Sequence, residues 1–135
     1  MTLLVDTSVW SLALRRDVAS RVPELLYLQT ALAGHDLVVT TGLVLQELLQ
    51  GFVGAKDQDR IIETFRAFTH IAPNFDDHVQ AAMLRNTCRR AGVQLGTIDA
   101  LIAQLCIRHG LVLLTTDKDF THASAYCKLK VWAAT

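Results

Sequence analysis

Four acidic residues lie far apart in this chain yet share one kind of setting. Asp6 closes the run Leu3-Leu4-Val5-Asp6-Thr7-Ser8, and Glu47 lies in Leu45-Gln46-Glu47-Leu48-Leu49. Asp99 lies in Gly96-Thr97-Ile98-Asp99-Ala100, and Asp117 ends Leu113-Leu114-Thr115-Thr116-Asp117. Each has apolar neighbours, and a carboxylate is rarely buried without a partner. None of these segments carries a cation. A divalent ion that prefers oxygen donors, Mg²⁺ or Mn²⁺, is the economical candidate to hold them together.

The chemistry such a group can do is specific. Carboxylates gathered without positive charge repel one another, and some then stay protonated. A divalent ion turns that repulsion into affinity. Two ions about 3.5–4 Å apart can activate a water and stabilise the leaving oxygen of a phosphodiester. Mg²⁺ takes few protein carboxylates and completes its shell with water and substrate phosphate. Asp119, just beyond Asp117, is a candidate fifth acid acting through water. Any one of these acids alone is an ordinary turn or helix residue, so the inference rests on the set.

Positioning the set falls to an alternation of short apolar runs and longer helix-period stretches, the pattern of βα units around a parallel sheet. Strands are expected at Leu3–Val5, Leu37–Val39, His70–Ala72 (weakly), Leu111–Leu114 and Leu129–Trp132. Their nearly continuous apolar character suits strands covered on both faces. Thr7 or Ser8 is expected to cap a helix through Trp10 to Arg15. Pro23 opens another, closing near Gly34. Thr40 or Thr41 caps the helix carrying Glu47, ended by Gly51 or Gly54. Helices follow at about 57–68 and 75–91, then one capped by Thr97 and ended by Gly110, then one at about 119–126. Ligands of open α/β sheets bind beyond the carboxyl ends of the strands. Asp6 and Asp117 lie just past strands, Asp99 in a helix's first turn, where the macrodipole favours negative charge. Glu47 lies well inside its helix and must reach the site from the side.

Composition narrows the class. The 135 residues, half hydrophobic and 19% charged, fit one compact domain, 1–135. No apolar run spans a membrane, and Met1–Val5 reads as a strand and not a signal peptide, so a cytoplasmic protein is expected. Three scattered cysteines exclude a complete disulfide framework, and Cys88 and Cys106 read as core residues. Thirteen basic residues balance thirteen acidic ones. Committing four acids to metal leaves a basic excess of four, with visible clusters at Arg15-Arg16 and at Arg85, Arg89 and Arg90. Neutrality therefore does not exclude a phosphate-bearing substrate.

At this point the sequence resembles a known family. Leu4-Val5-Asp6-Thr7-Ser8-Val9-Trp10 looks like the opening motif of PIN-domain nucleases. Gln46-Glu47-Leu48-Leu49-Gln50-Gly51 matches their middle acid. Cys88-Arg89-Arg90-Ala91-Gly92, Leu95 through Ala103 and Leu113 through Phe120 resemble the second half. Length and motif wording resemble the VapC-type toxins of VapBC toxin–antitoxin modules most. The resemblance implies a PIN-like single α/β domain with a central, mostly parallel sheet of four to five strands flanked by helices. It also implies a Mg²⁺- or Mn²⁺-dependent endoribonuclease toxin, homodimeric, acting on RNA and neutralised by a small VapB-like cognate antitoxin. Carried over, the catalytic and metal-binding acids are Asp6, Glu47, Asp99 and Asp117. Thr7, Ser8, Thr115 and Thr116 are candidates for hydroxyls that orient metal ligands.

Other residues carry weaker readings. Arg85 and Arg89 share one helix side and are candidate phosphate contacts, as are Lys118, Arg15 and Arg16; a solvated basic face is the plain alternative. Trp10 reads as core, or, with the Leu25–Leu28 helix, as a groove for an antitoxin segment. Asp57, Asp59, Glu63, Asp76 and Asp77 read as solvated or capping acids. The five histidines form no zinc pattern, and no phosphate loop is present. Two competing functions remain: a PIN-type RNA-processing nuclease without an antitoxin, and a receiver-like phosphoryl-accepting module. The second needs an acidic pair after the first strand, where Asp6 stands alone.

Overall fold

The central strand of the sheet is the first in the chain. In the computed structural model, which describes residues 1–15 and 21–134, β1 (Thr2–Val5) lies between β2 (Leu37–Thr40) and β4 (Val112–Leu114). Two short strands, β3 (Thr69–His70) and β5 (Lys130–Val131), extend the sheet on either side, giving the order β3-β2-β1-β4-β5. Every pairing is parallel. Leu4 aligns with Val39 on one side and Leu113 on the other, and all three are buried. This is why the strands read as unbroken apolar runs. The order also differs from the 2-1-3-4-5 arrangement of receiver-like folds.

Helices fill the crossovers: α1 (Thr7–Leu14), α2 (Pro23–Thr30), α3 (Gly42–Gly51), α4 (Ala55–Arg66), α5 (Phe75–Arg90), α6 (Thr97–His109) and α7 (Lys118–Ala123). After α2 the chain continues through a wider π turn, Ala31–His35, so the expected single helix to Gly34 ends in a different geometry. Gly92 and Gly110 adopt positive φ (83° and 64°) and end α5 and α6, as their positions suggested. Strand bounds are slightly shifted: the weak His70–Ala72 run is Thr69–His70, and the last strand shortens to Lys130–Val131.

Two capping assignments change and a third holds in position. Asp6, not Thr7 or Ser8, is the N-cap of α1, because its carboxylate accepts from the Ser8 N–H. Gly96 takes the cap position of α6, and Thr97 is its first residue. Thr41 caps α3 through its backbone alone, and the buried Thr40 and Thr41 hydroxyls make no hydrogen bond among the described residues.

Trp10 belongs to the core. Its ring stands 5.1 Å from Phe65 and 5.6 Å from Phe68, and Leu25 and Leu28 of α2 are buried too. Trp10, Leu25 and Leu28 therefore face inward, as the core reading has it. Cys88 and Cys106 are buried, as expected. Arg16 lies outside the described residues. Among the described residues, no helix is long and apolar enough to cross a membrane.

Helices α5 and α6 form an antiparallel hairpin fastened at the end remote from Asp99. Asn74 and Asp77 make a reciprocal capping box, with bonds of 2.8 and 2.9 Å. The Arg108 Nε and one terminal nitrogen each donate to Asp77 at 2.7 Å. Asp77 is fully buried, so of the two expected roles it is capping and not solvated. This clamp fixes where α6 begins, and with it Asp99.

Candidate active site

Adjacent parallel strands end side by side, so β1 delivers Asp6 and β4 delivers Thr115 and Asp117 to the same edge. The Asp6 N–H donates to the Leu114 carbonyl at 2.9 Å, carrying the ladder one residue past the strands. This edge is also where the chain switches from one side of β1 to the other, the usual crevice of open α/β sheets.

Hydroxyls orient the first carboxylate. Asp6 is buried, and its Oδ2 accepts from Ser8 Oγ and from Thr115 Oγ1, both at 2.8 Å. Its Oδ1 accepts nothing from the described residues. The same hydroxyls accept from the next turn: Thr116 N–H donates to Ser8 Oγ at 3.1 Å, and Asp117 N–H donates to Thr115 Oγ1 at 3.0 Å. Ser8 and Thr115 thus couple the first acid to the last. Thr116 was expected to contribute a hydroxyl; it contributes its backbone N–H instead, and its side chain is exposed.

Glu47, in the middle of α3, enters from the side as anticipated. Thr7 Oγ1, at the start of α1, donates to Glu47 Oε1 at 3.1 Å. Burial raises the Glu47 carboxyl, the Thr7 hydrogen bond pulls it back, and the Asp6 charge raises it further. Asp117 caps α7 through the Asp119 N–H at 2.9 Å, and Asp119 itself is exposed.

Asp99 records the proximity of all the others. Burial pushes its carboxyl up to about 7, helped by the charges of Asp6, Asp117, Glu47 and Asp119. All five acids therefore share one electrostatic neighbourhood. They do not form a closed coordination shell: among the described residues, no three His, Cys, Asp or Glu side chains stand close enough together to hold an ion. Mg²⁺ needs only one or two direct carboxylates and otherwise binds water and phosphate. An all-oxygen donor set under mutual repulsion, with one member holding its proton to near neutrality, has the chemistry that suits such a cation.

The expected cationic contacts diverge. Arg85 is half-buried, and its Nε donates to the Leu95 carbonyl at 2.9 Å, on the loop leading to Asp99. Arg89, Lys118 and Arg15 are exposed, and among the described residues Arg90 reaches only Thr87 of its own helix, at 3.4 Å. Arg108 carried no signal of its own, because its partner Asp77 is thirty-one residues earlier; only the Asn74–Asp77 spacing hinted at the cap.

Comparison with known proteins finds chains similar to this one. The family model described as PIN domain matches residues 3–126. Ribonuclease VapC23 of Mycobacterium tuberculosis is 33% identical over 129 residues, covering 92% of this chain and 98% of the relative. Among solved structures, FitAcB from Neisseria gonorrhoeae superposes with a TM-score of 0.74 at 21% identity, covering 97% of this chain and 96% of that one. VapBC2 from Rickettsia felis, bound to a DNA fragment from their promoter, gives 0.73 at 19% identity, covering 98% and 100%.

Proposed function

The chain belongs to the PIN-domain family, and we propose that it is a Mg²⁺- or Mn²⁺-dependent endoribonuclease serving as the toxin of a VapBC-type toxin–antitoxin pair. The observation that carries the chemistry is the Asp6–Thr115–Asp117 linkage, with Glu47 and Asp99 facing the same crevice. The relative named as a ribonuclease supports RNA as the substrate. The structural neighbour named as a VapBC assembly supports a small VapB-like antitoxin as partner.

In this reading one or two of Asp6, Glu47, Asp99 and Asp117 would bind the cation directly, and the others, with Asp119, would act through its bound waters. When bound, the cation supplies the charge that lowers the pKa of a water and neutralises phosphodiester oxygens. Ser8 and Thr115 hold Asp6 by two hydroxyl donors, and Thr7 holds Glu47, so the carboxylates are oriented before substrate arrives. Asp99 keeps its proton near neutral pH until positive charge joins the cluster. A stripe of exposed apolar residues on α5, Phe75, Val79 and Met83, supports homodimer formation.

The test of the toxin role is inducible expression of the intact chain in bacteria. Growth arrest with cleaved RNA is expected, abolished by Asp6→Asn and relieved by co-expressing the small protein encoded beside it. Unimpaired growth of cells holding an active ribonuclease would favour an RNA-processing enzyme without an antitoxin.

A further inference from the structure

A cavity of about 220 Å³ lies between α5 and the first turn of α6, outside the acid cluster. Ala82, Ala100 and Leu101 give it apolar walls, and Arg85, Asn86 and Thr97 bring polar groups to it. At 3.6 residues per turn, Thr97 and Leu101 occupy one side of α6 while Asp99 faces nearly the opposite side. Cavity and acid cluster therefore flank the same helix end. Two contacts connect them. Arg85 Nε donates to the Leu95 carbonyl at 2.9 Å, and the next residue, Gly96, abuts Asp99: a Cβ there would meet Asp99 Oδ2 at 3.8 Å. A helix is about 10–12 Å across, so the cavity lies about one helix width from the acids.

We infer that this cavity is a nucleobase subsite, taking an unpaired base of the RNA close to the cleaved linkage. The inference rests on the ribonuclease reading above and deepens it. Proteins that recognise single-stranded RNA splay a base out, stack it on an aromatic ring or a guanidinium plane, and bond its edge. Arg85 supplies such a plane, already steadied by Leu95, and its terminal nitrogens make no hydrogen bond to described residues. Asn86 supplies a donor and an acceptor on one amide, the pair that matches a base edge. The apolar walls accept the ring. His78, Arg85, Asn86 and Thr97 give the rim of the cavity its polar groups.

Two arms test this. In the first, AMP, CMP, GMP and UMP are titrated separately into the uniformly ¹⁵N-labelled protein in Mg²⁺. Amide shifts centred on Ala82, Asn86, Thr97 and Leu101 are expected, strongest for one base and lost in Ala82→Leu, which fills the exposed mouth of the cavity. No shift there at millimolar concentrations of any of the four overturns the subsite, whatever the protein does to RNA. Loss of a dimer in Ala82→Leu without nucleotide shifts in the parent also overturns it, making the cavity a protomer contact. In the second arm, RNA ends left by wild type, Asn86→Ala and Ala82→Leu are sequenced from one mixed pool. Base preference at one position flanking the cut should relax about tenfold. An unchanged cut profile at unchanged rate contradicts the subsite. Failure of the wild type to cut RNA condemns the ribonuclease reading instead, and the nucleotide titration still decides the cavity.

Discussion

The Thr115 hydroxyl donates to Asp6 Oδ2 at 2.8 Å across 109 residues of sequence, tying the ends of two neighbouring parallel strands. It also accepts the Asp117 N–H, so one side chain sets both acids. Thr115→Val keeps the shape and removes both bonds. Loss of an oriented ligand's supporting bond costs about 10–100-fold in metal affinity or activity. The expected result is a rise of that order in the Mg²⁺ concentration for half-maximal cleavage, with Tm only slightly lowered. Wild-type metal dependence in the variant would reduce Thr115 to a structural residue.

The Asp77–Arg108 pair predicts the acid limb of stability. Burial pushes the Asp77 carboxyl up, but the Arg108 guanidinium, the Asn74 backbone N–H and the Gln104 amide together hold it down at about 2, against 3.8 unperturbed. A lowered folded-state value means the contribution is present above pH about 4 and is lost as pH falls towards 2. Arg108→Ala removes the two donors that stand 2.7 Å from the Asp77 carboxylate and should lower stability at neutral pH while changing it little near pH 2. Chemical denaturation of wild type and variant between pH 2 and 7 checks both statements. Parallel stability curves would show that the pair is not what titrates.

Asp99 predicts the opposite slope. Burial and four neighbouring acids raise its carboxyl from 3.8 to about 7 in the folded protein. A raised value gives stability that is full below the unfolded pKa and is lost as pH rises through 7. In EDTA, Tm should therefore fall between about pH 4 and 8, and Asp99→Asn should reduce that fall, the raised Glu47 carboxyl supplying the remainder. Millimolar Mg²⁺ should restore Tm at pH 8 in wild type, because it binds the folded cluster. A melting curve indifferent to both pH and Mg²⁺ would speak against a preformed site.

Core packing behind the site predicts a purely structural loss. Phe65 is 1% exposed and packs 5.1 Å from Trp10, on the helix that Asp6 caps. Phe65→Ala should cost about 3–5 kcal/mol, measured by urea unfolding. Cleavage per folded molecule at 20 °C should stay near wild type, because no acid is touched.

How far the sequence could be read depended on the range of each interaction. Asp6, Asp99 and Asp117 were legible because local pattern marks strand ends and helix starts, and a parallel sheet sends those ends to one edge. Glu47 was legible as an acid among leucines, though its contact with Thr7 needed the fold. Capping was misread at Asp6 because the preference for Ser, Thr and Asp is nearly degenerate, and only geometry shows which side chain turns back. Between Thr115 and Thr116 the spacing did not choose: the Thr115 hydroxyl meets Asp6, and Thr116 meets Ser8 through its N–H. Asp77 with Arg108, and Arg85 with Leu95, meet only once α5 and α6 pack, and no local spacing encodes that.

The most direct measurement is cleavage of a mixed structured-RNA pool by purified protein in Mn²⁺, in Mg²⁺ and in EDTA, beside identically purified Asp6→Asn and Asp99→Asn. Cutting by wild type that EDTA stops and that either substitution lowers by orders of magnitude, with Tm retained, is the expected result. Cutting that persists in EDTA, or at the wild-type rate in both folded variants, would contradict a metal-dependent ribonuclease built on these acids.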